Sequence, residues 1–313
     1  MTGIQIVGTG RYIPQKIVTN DEISKLTDTN DEWIRTRTGI CQRHFSEGET
    51  NADLATAAAE KAMKAAGISP DQVGTCIVAT FTPDHISPAV ATQVHRRLSL
   101  PEHTPALDIS AGCTGFLYGL TVARGFLLQS ERPYALLVGS EVISRVLDFN
   151  DRSTCVLFGD GAGAAVLKLS DSHPFTSVLG CKGDDQMLGC TNAPGTERQR
   201  IFMNGSEVFR FAVETVPHCI DDTLKKAELS PEDIDFFVCH QANQRIIASV
   251  IRKTHLPEHK FYLNVHNYGN TSAASIPIAL DEMAEKGLLK PGTRTLCVGF
   301  GAGLTWGGAV VEW

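Results

Sequence analysis

The chain repeats itself at about half its length, and this constrains its fold more than any single motif does. Residues 53–80, DLATAAAEKAMKAAGISPDQVGTCIVAT, read as an Ala-rich helix, a Ser-Pro-Asp turn and a short apolar strand. Residues 214–241, ETVPHCIDDTLKKAELSPEDIDFFVCHQ, read the same way. An offset of 161 aligns Pro70 with Pro231, and an offset of 156 aligns the LPEH segments at 100–103 and 256–259. After each LPEH come a strand-like stretch (PALDIS, FYLNVH), a small-residue turn, a helix and another strand (YALLVGSE, RTLCVGFG). Each half closes on a Gly-rich apolar hairpin, VLFGDGAGAAVLKL at 156–169 and GLTWGGAVVEW at 303–313. Strands that alternate with helices and are apolar along their whole length predict mixed, largely parallel sheets with helices on both faces. The expected architecture is α/β, with halves 1–170 and 171–313 related by a pseudo-twofold axis in a layered helix/sheet sandwich. Between them, residues 180–206 show no sustained period and read as an irregular excursion.

Composition excludes several classes. With 42% apolar and 20% charged residues, a 313-residue chain is neither disordered nor fibrous. No apolar run approaches the roughly 20 residues of a membrane span, and MTGIQIVGTG lacks the basic and apolar regions of a secretory signal, so a cytoplasmic location is expected. The net charge of −7 argues against a dedicated nucleic-acid binder. Nine cysteines, an odd number without a CxxC pair, predict buried reduced thiols rather than a disulfide framework or a structural metal site. The glycine clusters Gly8/Gly10, Gly159/Gly161/Gly163 and Gly299/Gly301/Gly303 do not fit a dinucleotide fingerprint and read as close-packed turns.

Three positions invite chemistry. Cys113, in DISAGCTGFLYGL, follows a strand and opens a long apolar helix, with Ala111, Gly112 and Gly115 leaving room for a substrate. A free thiol ionises near pH 8.5, and a helix N-terminus contributes up to about 2 kcal/mol towards the thiolate. On that basis roughly half of Cys113 would be ionised near neutrality. The alternative is a core thiol, the reading given to Cys76, Cys155 and Cys297 in their apolar strands. His240 follows the strand IDFFVC, at the carboxyl end where ligands gather in α/β sheets, and reads either as a site residue or as a structural histidine. Asn270, in NYGNTSAASIPIAL, reads as a helix-opening turn residue or as an amide donor. Under the duplication Cys113 corresponds to position 269 or 270, so the nucleophile and the amide would face each other across the pseudo-twofold.

Taken together, DISAGCTGF, VCHQANQRII, YGNTSAASIP and GFGAGLTWG resemble the active-site segments of β-ketoacyl-acyl carrier protein synthase III, a thiolase-fold condensing enzyme family. The resemblance extends to DTNDEWIRTRTGI near the start and to DRSTCVLFGDGAGAAVL at 151–167. Cys, His and Asn in this order separate the group from elongating synthases, which use two histidines, and from thiolases, which use a second cysteine. The resemblance implies transfer of an acyl primer from coenzyme A to Cys113, followed by decarboxylating condensation with malonyl-acyl carrier protein that initiates fatty acid synthesis. A related enzyme of specialised metabolism joining other acyl units is the alternative. Carried over, His240 and Asn270 hold the enolate oxygen, while the amides of Cys113 and Ala302 form the oxyanion hole. Family members often carry three consecutive glycines where this chain has Gly301, Ala302 and Gly303, and the added methyl could restrict the backbone there.

The resemblance also implies coenzyme A contacts at Trp33, Arg37, Arg152 and Asn243, with no resident cofactor and no metal. Read from the residues alone, Trp33 fits a core position and Arg152 a loop ion pair. On the helix after His240, Arg245, Arg252 and Lys253 make a basic face on an acidic chain, extended by Arg210, to which an acidic carrier protein would be steered; a solvated helix face is the plain alternative. A homodimer is implied, in which Ser87 falls where a partner subunit's bulky residue lines the acyl pocket. A serine there predicts room for primers longer or more branched than acetyl.

Overall fold

The computed structural model describes residues 2–192 and 199–313. In chain order the first half runs β1 (Gly3–Tyr12), β2 (Lys16–Thr19), α1 (Asn20–Ile23), α2 (Asp31–Thr38), β3 (Gln42–Phe45), α3 (Asn51–Ala66), β4 (Val73–Ala79), α4 (Val90–Arg97), β5 (Ala106–Ile109), α5 (Gly115–Leu127), β6 (Tyr134–Glu141) and β7 (Gly161–Ser170). The second half runs β8 (Thr176–Cys181), β9 (Leu188–Asn192), β10 (Gln199–Met203), α6 (Gly205–Ala227), β11 (Phe236–Cys239), α7 (Gln244–Thr254), α8 (Val265–Tyr268), α9 (Ser275–Glu285), β12 (Arg294–Gly301) and β13 (Thr305–Glu312).

The repeat is visible in strand order. One sheet is β1-β7-β6-β4-β5 and the other β8-β13-β12-β11, so the first four strands correspond in the same sequence. Parallel pairing of β4 with β6 and of β11 with β12 sits beside antiparallel β6–β7 and β12–β13. The fifth strand survives in the second half as one parallel bridge, Phe237 to Phe261, matching Cys76 to Ala106 in the first. Even the turns repeat. Ser69 and Ser230 each open a one-turn 3-10 helix beginning at a proline, and each is bonded reciprocally to the residue three positions on, Gln72 and Asp233.

Five layers follow from the burial of both faces of each sheet. In β6, Leu136 and Val138 pack against α3 and α4, while Ala135 and Leu137 turn to the middle layer. That middle layer is α5 and α9, whose Leu117, Leu120, Leu280 and Met283 touch both sheets. On the far side α6 and α7 pack onto the second sheet through Val216, Ile220, Ile247 and Val250. A strand buried on both faces cannot alternate apolar with polar residues, which is why YALLVG and TLCVGF are continuous apolar runs.

Three sequence expectations are corrected here. Gly8, Gly10, Gly161, Gly163, Gly299 and Gly301 lie inside strands, not in turns. A Cβ on Gly8 would come within 2.5 Å of the Ala62 carbonyl oxygen, so the glycines of β1 and the alanines of α3 are one close-packing device. Residues 180–206 are not wholly irregular either: β9 and β10 pair antiparallel from Leu188–Met203 to Asn192–Gln199. The remainder of that stretch, 193–198, lies outside the described residues. Cys155 is buried as expected, but in a turn rather than a strand. No helix among the described residues is long and apolar enough to cross a membrane.

Candidate active site

α5 and α9 begin side by side at the centre of the molecule, each preceded by a one-turn 3-10 helix, Gly112–Thr114 and Ser272–Ala274. Gly112 has φ +52 and Ser272 φ +50, which marks them as equivalent positions. Cys113 therefore corresponds to Ala273, not to 269 or 270. The sequence estimate missed by three or four residues because the segments before the two helices differ in length. Asn270 nevertheless reaches the same place. Cys113, His240, Asn270, Ser272 and Ala302 all line one cavity of about 680 Å³.

Each side chain is held by identifiable bonds. His240 follows β11, is buried, and places Nδ1 2.7 Å from Ser275 Oγ. Ser275 Oγ also accepts the Gln241 N–H, which leaves its own hydrogen for Nδ1. When Ser275 donates to Nδ1 the ring proton sits on Nε2, which has no hydrogen-bond partner among the described residues. Burial pushes the imidazole pKa down to about 3, so it is a neutral donor at physiological pH. Asn270 is clamped between Leu157 and Gly159: its N–H donates to Leu157 O (2.8 Å) and its carbonyl accepts from Gly159 N–H (3.0 Å). Its Oδ1 accepts from Ser272 N–H at 2.8 Å, so the Nδ2 donors remain available to the cavity.

Cys113 departs from the sequence expectation in its ionisation. Burial pushes its thiol up to about 12, with the charge of Glu141 acting in the same direction. The hydroxyl of Ser272 works the other way. The Cys113 thiol is therefore protonated at neutral pH, not half ionised. Beside it, a Cβ on Gly301 would stand 2.7 Å from Cys113 N, so only glycine lets the end of β12 press against the turn. Neither Cys113 N–H nor Ala302 N–H donates to a turn or loop carbonyl among the described residues. The positive φ of this bend falls on Gly303 (φ +128) and not on Ala302, so the methyl group of Ala302 is accommodated without backbone strain.

The other predicted residues fall in three places. Trp33 and Arg152 stack, with the guanidinium carbon 5.0 Å from the ring centroid, while Asn243 Nδ2 donates to the carbonyl of Arg37 at 3.1 Å. Asn243 also lines the cavity, so the Arg37 end of α2 and the start of α7 lie beside it. Arg245 lies over the Phe209 ring at 5.9 Å, next to Arg210, which is paired with Glu207; Arg252 and Lys253 are exposed on the same helix as Arg245. Ser87 sits on an exposed loop beside a fully exposed Ile86 and does not line this chain's own cavity. Among the described residues, no cluster of three or more His, Cys, Asp or Glu could hold a metal ion.

Sequence reasoning missed Ser272, Ser275 and Glu141. The signal for Glu141 was legible: a lone carboxylate ends an otherwise apolar buried strand, YALLVGSE.

Comparison with known proteins places this geometry. Residues 107–183 match the family model for 3-oxoacyl-[acyl-carrier-protein] synthase III, and residues 224–313 match that of its C-terminal region. The chain is 43% identical to a β-ketoacyl-[acyl-carrier-protein] synthase III of Clostridium acetobutylicum, over 100% of this chain and 99% of the relative. The crystal structure of the Aquifex aeolicus 3-oxoacyl-[acyl-carrier-protein] synthase III superposes with a TM-score of 0.94 at 39% identity, covering 99% of this chain and 100% of the other. That of the Thermus thermophilus β-ketoacyl-[acyl carrier protein] synthase III gives 0.93 at 41%, with 99% of each chain covered. Fold, full-length identity and family models agree: the chain belongs to the 3-oxoacyl-[acyl-carrier-protein] synthase III family.

Proposed function

We propose that the cavity around Cys113 carries out the family's reaction, the decarboxylating condensation of an acyl-coenzyme A primer with malonyl-acyl carrier protein that initiates fatty acid synthesis. The observation that carries the residue assignment is the convergence of Cys113, His240 and Asn270 on one cavity, with the Nε2–H and Nδ2 donors unpartnered.

In the first half-reaction the Cys113 sulfur attacks the primer thioester, coenzyme A leaves as its thiol, and an acyl-cysteine forms. The amides of Cys113 and Ala302 receive the carbonyl oxygen as it becomes an oxyanion. In the second, the bond to the malonyl carboxylate breaks, carbon dioxide leaves, and negative charge moves onto the thioester oxygen. His240 Nε2–H and Asn270 Nδ2 are aimed at that oxygen. The resulting carbon nucleophile attacks the acyl group, and the sulfur departs to regenerate Cys113.

The Trp33–Arg152 stack offers a surface for the adenine ring, and Arg37 supplies charge for the phosphates, with Asn243 along the channel. An acidic carrier protein docks on Arg245, Arg252 and Lys253; Arg210 contributes less, because Glu207 already neutralises it. The enzyme works in the cytoplasm as a homodimer of chains whose halves are 1–170 and 171–313. It has no resident cofactor, and the Ser87 loop of one subunit borders the acyl pocket of the other. Competing acetyl-, isobutyryl- and octanoyl-coenzyme A test that last point, since strict acetyl preference contradicts an open pocket. The function itself is tested by supplying acetyl-coenzyme A and malonyl-carrier protein together. Equal amounts of free coenzyme A, carbon dioxide and acetoacetyl-carrier protein are expected, and carbon dioxide without the four-carbon product would refute the assignment.

A further inference from the structure

Ser272 pays a steric cost to be where it is. It is a non-glycine residue at φ +50, and the equivalent position in the other half is Gly112. It is fully buried yet lines the cavity, and its hydroxyl makes no hydrogen bond of good geometry. That hydroxyl stands near enough to the Cys113 thiol and the Glu141 carboxyl to favour the ionised form of both.

Glu141 is fully buried and has no cationic partner among the described residues. It ends β6 at the position that Gly301 occupies at the end of β12. Where Gly301 lets the backbone press against the Cys113 turn, the first half directs a carboxylate at the Ser272 turn. The donors to Glu141 are unevenly placed. Oε2 accepts from Thr80 Oγ1 (3.0 Å), from Thr82 Oγ1, and from the N–H groups of Thr82 (3.1 Å) and Phe81 (3.3 Å). Asn51 Nδ2 donates to both threonine hydroxyls and Val142 N–H to that of Thr82, so each hydroxyl has its own hydrogen left for the carboxylate. Oε1 has only the Phe81 N–H at 3.3 Å and keeps lone-pair capacity unused.

We propose that Ser272 and Glu141 are the proton path of the nucleophile: the Cys113 S–H gives its proton to Ser272 Oγ as the Ser272 O–H gives its own to Glu141 Oε1. The thiolate so formed attacks the primer thioester. The S–C bond to Cys113 forms, the C–S bond to coenzyme A breaks, and the proton parked on Glu141 returns through Ser272 to the departing thiolate. No other acid or base is required. This rests on Cys113 being the acyl acceptor.

Burial raises the Glu141 carboxyl to about 7, against the pull of its four donors, so it can both take and return a proton at physiological pH. The titratable groups facing it are the thiols of Cys113 and Cys190. The nearest charged pair, Arg145 with Asp84, touches the Thr82 carbonyl and not the carboxylate.

The test measures single-turnover acylation of Cys113 by acetyl-coenzyme A, by intact-protein and peptide mass, across pH 5.5–9. Native protein must first acquire the acyl group at Cys113; if it does not, the parent reading fails and the variants are not at issue. Given that, Glu141→Gln and Ser272→Gly are each expected to acylate on the order of 10²-fold more slowly at saturating primer, with the half-saturating concentration unchanged. The native rate should fall as pH drops through about 7, where Glu141 gains its proton, and Glu141→Gln should lose that limb. Ser272→Gly relieves the positive φ, so it carries the test even if the glutamine variant does not fold. Acylation by Ser272→Gly near the native rate, or an unchanged pH limb in a folded Glu141→Gln, would overturn the proposal.

Discussion

Replacing His240 with alanine should separate the two half-reactions. The imidazole is a buried neutral group: Ser275 engages its Nδ1, and a pKa pushed down to about 3 leaves only about one molecule in 10⁴ protonated at pH 7. Its contribution is therefore a hydrogen bond to the oxygen that gains charge during decarboxylation, not proton transfer from a cation. Removing one such pre-aimed donor costs about 10²–10³ in rate, or about 2.7–4 kcal/mol. The primer carbonyl is served instead by backbone amides, so acylation of Cys113 should change little. Ser275→Ala, which frees the imidazole to adopt the other tautomer, should weaken the same step by a smaller factor. The assay follows acyl-cysteine formation by mass and, separately, carbon dioxide release from malonyl-carrier protein by pre-acylated enzyme. Equal loss in both steps would refute the division of labour. So would a decarboxylation limb in native protein near pH 6.5 that His240→Ala abolishes.

Asn270→Ala removes the partner donor and leaves Ser272 N–H without its acceptor, so decarboxylation should again fall by about 10²–10³. Trp33→Ala, which deletes the ring that Arg152 covers, should raise KM for acyl-coenzyme A by about 5- to 150-fold, the worth of one base stack, with kcat nearly unchanged. Leu137→Ala opens a hole in the middle layer, where the side chain is fully buried, and should cost about 2–5 kcal/mol in denaturant unfolding. Because Glu141 has a higher pKa folded than unfolded, the native state holds the extra proton between about pH 4.5 and 7. Its contribution is thus complete below that window and is lost as pH rises through it, by about 3 kcal/mol. Urea titrations should show this slope in native protein and its disappearance in Glu141→Gln.

Much of the fold was readable because duplication and burial leave strong marks. Two copies of a helix, a Ser-Pro turn and an apolar strand fix the order α3-β4 and its repeat α6-β11, since strands covered on both faces must be apolar throughout. What did not show was register. The equivalence of Cys113 with Ala273 depends on turn lengths, which sequence spacing cannot count when a gap can fall anywhere between anchors. The β9–β10 hairpin was missed because its strands are short and half-exposed and lack a clean alternation. Within the site, the helix-opening positions of Cys113 and Asn270 were visible from small residues before an apolar helix. The thiol's ionisation was not, because the dipole of a helix start is a local property while desolvation depends on what the rest of the chain packs around it. Ser272 and Ser275 look interchangeable in NTSAAS; only the backbone angle of one and the imidazole beside the other tell them apart.

The most direct measurement is peptide mapping after brief exposure to acetyl-coenzyme A. One acetyl group is expected, on the peptide carrying Cys113, with Cys76, Cys155, Cys181 and Cys297 unmodified, and it should disappear when malonyl-carrier protein is added. A label on any other cysteine, or one at Cys113 that malonyl-carrier protein does not discharge, would contradict the account.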